Sequence, residues 1–114
     1  MELEIKKGTD QEYTEAIACP AIDPDDFSTI EAHLDCLDKV LEENNAAKAE
    51  TVYLQSIIPL EDPSDNFSLL GDVFRSIVYF ASMHEYPKKI CIVCDSEETE
   101  KLYEDIYDFW FPEE

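Results

Sequence analysis

Few residue groups in this chain have the types and spacing for chemistry. Cys91-x-x-Cys94 has the spacing of a metal or redox pair. It falls inside an apolar run that reads as a strand, where positions three apart point to opposite faces, so the two thiols cannot easily meet. Zinc would need two more ligands, and only His33 and His84 add to the four cysteines at 19, 36, 91 and 94. Asp25, Asp26, Asp62, Asp65 and Asn66 could offer oxygen ligands to a hard cation, but no EF-hand spacing is present. They read as a solvated acidic rim. No serine or cysteine is tied by a motif to either histidine, so both are expected on helix surfaces or at caps. The expectation is no catalytic residue, no metal and no cofactor. Cys94 is expected at a strand end near a crevice, partly accessible, and the other thiols reduced and mostly buried.

The elements that must position these residues can be read from apolar periodicity. Leu3 and Ile5 alternate with Glu2, Glu4 and Lys6, which predicts a short strand. Gly8-Thr9-Asp10 reads as a turn and 15–19 as a second strand, paired as a hairpin and stopped by Pro20. Ser28 and Glu31 have capping-box spacing. They open a helix whose stripe is Phe27, Ile30, Leu34, Leu37 and Leu41, ending at Asn44-Asn45. Residues 51–58 predict a strand stopped by Pro59, followed by a polar loop over 61–68. A helix over 68–84 has an apolar face wide enough for burial on two sides. Residues 89–94 form a near-continuous apolar run, as in a strand covered on both faces. Asp95-Ser96 then cap a last helix. The order is β-β-α-β-α-β-α, a four-stranded, mixed, mostly parallel sheet in a three-layer α/β sandwich. Ligands bind such sheets beyond the strands' carboxyl ends, here near Asp10, Pro20, Pro59, Asp62, Ser64, Asp65, Asn66 and Asp95.

Composition limits the partners. The 114 residues suit a single domain spanning 1–114. Eight basic residues face 28 acidic ones, a net charge of −20, which disfavours nucleic acid and anionic membranes and reads either as a soluble, self-repelling surface or as a surface for a basic protein partner. No apolar run approaches the roughly 20 residues of a membrane helix, and the opening Met1-Glu2-Leu3-Glu4 has no secretory pattern. A reducing, cytoplasmic setting is expected. Phe109-Trp110-Phe111 either seals the core or builds a homodimer through Trp110 and Phe111.

Several strings resemble the later part of a macro domain. Residues 30–59 are similar to that family's helix and its "SIAFP"-type strand, with Gln55-Ser56-Ile57-Ile58-Pro59-Leu60 at the strand end. Residues 68–81, 89–95 and 100–109 are similar to its following helix, late strand and final helix, and Ile5-Lys6-Lys7-Gly8 with 15–20 to its hairpin. The resemblance implies an ADP-ribose site held by glycine-rich loops. The first loop lies before the matched region. The second would fall on Glu61-Asp62-Pro63-Ser64-Asp65-Asn66-Phe67, which has no glycine and three carboxylates. Each carboxylate repels a phosphate by about 1 to 4 kcal/mol at a few ångströms, against roughly 0.3 to 1 kcal/mol returned by a helix dipole. The expectation is a non-catalytic interaction module with a degenerate site. The alternatives are a residual binder of ADP-ribose or an adenine nucleotide, with Asp10 or Asp95 near base or ribose, and, last, an ADP-ribosyl hydrolase.

Overall fold

The structure is a computed structural model describing residues 2–57 and 59–112. Its elements are β1 (Glu2–Lys7), α1 (Asp10–Glu15), α2 (Phe27–Ala46), β2 (Thr51–Gln55), α3 (Pro63–Met83), β3 (Lys89–Cys94) and α4 (Glu97–Trp110). β3 is the central strand, paired in parallel with β1 and β2. A strand with neighbours on both sides cannot spare a position for water, and residues 90–94 are all buried. The edge strand β2 alternates instead, with Val52 and Leu54 buried and Tyr53 half exposed.

Register decides the faces. Leu3, Ile90 and Val52 share one row and Ile5, Ile92 and Leu54 the next. On this face lie Leu37 and Leu41 of α2, Leu70, Phe74 and Ile77 of α3, and Tyr103 and Ile106 of α4. α3 packs between α2 and α4, which explains its wide apolar surface, and α4 covers β1. The opposite face exposes Cys91 and Val93 to a smaller cluster with Ala16 and part of Tyr13.

The sequence reading needs four corrections. First, the expected hairpin is absent: Asp10–Glu15 form a helix. Thr9 and Glu12 make a reciprocal capping box, Glu12 N–H donating to Thr9 Oγ1 at 3.1 Å and Thr9 N–H to Glu12 Oε1 at 3.0 Å. The second strand shrinks to one parallel bridge, Ile17 with Leu54, at the outer edge of β2. The order is thus β-α-α-β-α-β-α, with three strands, all parallel. Second, the layers are unequal: three long helices cover one face and only the six residues of α1 the other. Third, Asp26, not Ser28, caps α2, accepting from Ser28 N–H at 3.0 Å. Fourth, α3 starts at Pro63, so the expected loop at 61–68 is mostly helix. Asp62 caps it, and Pro63 occupies a first-turn position that has no N–H to satisfy.

The bridge explains the path of the chain. From β1 the chain crosses under the sheet through α1 to Ile17 at the far edge. It then returns strand by strand over the helix-covered face, through α2 to β2 and α3 to β3. Reversing direction while changing face gives all these crossovers the same hand, as the crossover preference requires. Gly8 makes the first step: a Cβ there would lie 2.5 Å from Val93 Cγ1. Among the described residues, no helix is long and apolar enough to cross a membrane.

Candidate functional site

A cavity of about 360 Å³ lies beyond the carboxyl end of β2. This is where parallel sheets place ligands. Tyr13, Gln55 and Ser56 give it polar groups, Ile22, Ile57 and Pro59 apolar ones, and His33 and Cys19 also line it.

Long-range hydrogen bonds hold these walls. Gln55 Nε2 donates to the Tyr13 carbonyl at 2.8 Å, and the Tyr13 hydroxyl to the Ser56 carbonyl at 3.2 Å. α1 is thereby fastened to the end of β2. Ile57 N–H donates to the Tyr103 hydroxyl at 2.7 Å, which ties the chain leaving β2 to α4. Burial pushes the Tyr103 phenol up and keeps it neutral. Leu60 N–H donates to Asn66 Oδ1 at 2.7 Å and Asn66 Nδ2 to the Leu60 carbonyl at 2.9 Å, a side-chain amide closing the turn as a backbone pair would.

His33 is 5% exposed, so it is not the surface histidine expected from sequence. Its Nδ1 lies 2.7 Å from the Pro20 carbonyl. A carbonyl only accepts, so Nδ1 carries the hydrogen and Nε2 is left as the other ring nitrogen. His84 does end α3, stacked on Phe80, with Nδ1 3.1 Å from the Phe80 carbonyl.

The predicted site residues are divided by this geometry. Pro59 lines the cavity, and Pro20 fixes a wall through its carbonyl. Asp62, Ser64 and Asn66 build the adjoining turn: the Ser64 hydroxyl is spent on Asp62 at 2.7 Å. That bond and the Ser64 N–H hold the Asp62 carboxyl below its usual range. Asp65 lies in the first turn of α3 and Asp10 in that of α1. Asp95 is exposed at the end of β3, where its charge adds to burial in raising the Tyr13 phenol. Tyr13, His33, Gln55 and Ser56 were missed as site residues. Only the position of Gln55-Ser56 at a strand end before Pro59 signals them.

Cysteine nucleophiles need a lowered pKa, whereas burial pushes Cys91 to about 11 and Cys94 and Cys19 to about 12. Cys94 is fully buried, against the expected partial access, and Cys91 faces the other side of the sheet. The Ser56 hydroxyl lies beside the Cys94 thiol, a weak partner, and makes no stronger hydrogen bond among the described residues. No activated serine or cysteine pair results. Among the described residues no three His, Cys, Asp or Glu side chains converge to hold a metal.

The surroundings carry one sign of charge. The flanking segments contain Asp23, Asp25, Asp26, Glu61, Asp62 and Asp65, and no lysine or arginine occurs from residue 8 to 38 or from 49 to 74. The N-terminus of α3, which would otherwise attract an anion, is taken by its own Asp62. At the end of the chain, Trp110 and Phe111 pack against the core, and the indole N–H donates to the Phe67 carbonyl at 3.3 Å. Phe109 remains exposed. Comparison with protein families, with curated proteins and with solved structures finds no match to this chain.

Proposed function

We propose that this chain is a non-catalytic interaction module of macro-like α/β build that binds a basic protein partner through its acidic surface. The cavity beyond β2 receives an uncharged group of that partner. One observation carries this reading: a cavity with a substantial apolar wall is bordered by segments rich in aspartate and without lysine or arginine. Such a border attracts cations and repels phosphate. A second concavity between α2 and α3 adds support. There the Asp38 carboxyl is raised by burial and by Asp35 and Glu42, beside exposed Tyr79 and Met83. Unneutralised carboxylates next to aromatic and thioether surface suit a lysine or arginine side chain. Trp110 and Phe111 are engaged within the chain, so the interaction is assigned to the acidic surface rather than to a homodimer through them.

The run α2-β2-α3-β3-α4 supports the macro-like reading, and the carboxylates of the adjoining turn weigh against ADP-ribose. Peptide arrays of matched apolar pattern, in basic, neutral and acidic versions, test the proposal. Basic peptides are expected to bind, more weakly as salt screens the attraction, while ADP-ribose leaves Tm unchanged. Equal binding of acidic peptides sinks the charge argument. Stabilisation by ADP-ribose of several degrees favours the residual nucleotide-binding reading instead.

A further inference from the structure

Cys19 and Cys36 are distant in sequence and are brought together by one hydrogen bond and one helical turn. His33 holds the Pro20 carbonyl at 2.7 Å. Residues three apart on a helix are neighbours on one face, so Cys36 lies one turn along α2 from His33. The tie at Pro20 therefore delivers the preceding residue, Cys19, to the turn that carries Cys36. The Cys36 thiol acts there on Cys19, adding to burial in pushing the Cys19 thiol up. Both are half-buried and within reach of a small reagent, whereas Cys91 and Cys94 are buried and on opposite faces of β3.

We propose that Cys19 and Cys36 are a reversible disulfide site in the wall of the cavity, exchanging with low-molecular-weight disulfides. In the first step one cysteine thiolate attacks the small disulfide, forming a mixed disulfide and releasing one small thiol. The second cysteine thiolate then displaces the other small thiol and closes the Cys19–Cys36 bond. The two cysteines together lose two protons and two electrons. The electrons reduce the small disulfide to two thiols. Burial, with the Cys36 thiol, holds Cys19 at about 12, so exchange through it is slow at neutral pH and quickens as pH rises. Cys19 lines the cavity, so the bond fastens that wall to α2. The site does not depend on what the cavity binds.

The test is to incubate the native chain with oxidised glutathione, alkylate the remaining thiols after unfolding, and map the peptides by mass spectrometry. The expected result is one cross-linked pair, Cys19 with Cys36, with Cys91 and Cys94 still free. Tm should rise by several degrees, because the bond restricts the unfolded chain, and dithiothreitol should reverse the change. Cys36→Ala should stop at a glutathione adduct on Cys19. Free thiols at both positions, adducts without a cross-link in the native chain, or pairing with Cys91 or Cys94 would each overturn the proposal. The peptide map of the native chain decides it even if the variant fails to fold.

Discussion

On one face of the sheet, Ile90, Ile92 and Cys94 are covered by helices of 20, 21 and 14 residues. On the other, Cys91 and Val93 are covered by six residues of α1, none of them buried. The first face is held by apolar burial. The second is held mainly by polar contacts: Lys6 to Glu12 at 2.7 Å, Lys89 to Glu4 at 2.9 Å, and Cys91 Sγ to Glu4 Oε1 at 3.6 Å. Ion pairs this exposed contribute little, because water and salt screen them. Fully parallel sheets usually bury both faces. Here stability belongs to one face, and the other carries the chain to the far edge of the sheet.

The comparison can be broken most directly at Phe74. It is fully buried and meets Tyr103 and Tyr107 edge-on. Phe74→Ala should cost about 3–5 kcal/mol. Tyr53→Thr, on the other face and half exposed, should cost about 1 kcal/mol at most. Denaturant titration reads both, and equal losses would remove the asymmetry. Gly71→Ala should have an intermediate effect. A Cβ there would lie 2.6 Å from Trp110 Nε1 and 2.8 Å from Cε2. Forcing the indole outward should cost about 1–3 kcal/mol. Trp110 is the chain's single tryptophan, so its emission should shift to the red. Unchanged emission would mean that the α3–α4 contact relaxes by another route.

The smallest effect sharpens the other side of the comparison. The Lys6 hydrogen bond, then the Thr9 N–H, hold the Glu12 carboxyl at about 2, below its usual 4.5. A depressed carboxylate stabilises the fold above its ordinary pKa, and this contribution is lost as pH falls through the folded value. α1 should therefore loosen between about 4.5 and about 2, ahead of the sheet. Amide exchange by NMR should show Asp10–Glu15 losing protection first. Simultaneous loss in β3 would tie the two faces into one cooperative unit.

The same asymmetry decided what could be read from sequence. α2, α3, α4 and β3 depend on long apolar stripes or an unbroken apolar run, and both are visible one residue at a time. α1 depends on a Thr9–Glu12 box hidden beside a glycine that looks like a turn. The bridge at Ile17 exists only because β2 arrives beside it. The cavity was half legible. Pro59 marks a strand end in any sequence of this type. His33 acquires its role from a carbonyl 13 positions away, and Tyr13 from one 43 positions away, and no local pattern records such meetings. Asp62, Ser64 and Asn66 were found, but as a loop. Their hydrogen bonds make them the start of a helix.

The bridge at Ile17 also sets where the chain is held least firmly. Two backbone hydrogen bonds, Ile17 N–H to the Tyr53 carbonyl and Gln55 N–H to the Ile17 carbonyl, each 2.9 Å, hold the corner where the chain changes face. Ile17 itself is 38% exposed, so little apolar burial adds to them. Segments held this way open at the low end of a protein's stability range. Cys19 and Pro20 follow at once, so each opening of the corner loosens a wall of the cavity. One wall of the cavity is therefore tied to a weakly buried corner of the chain, while the helix-covered face is held by apolar burial.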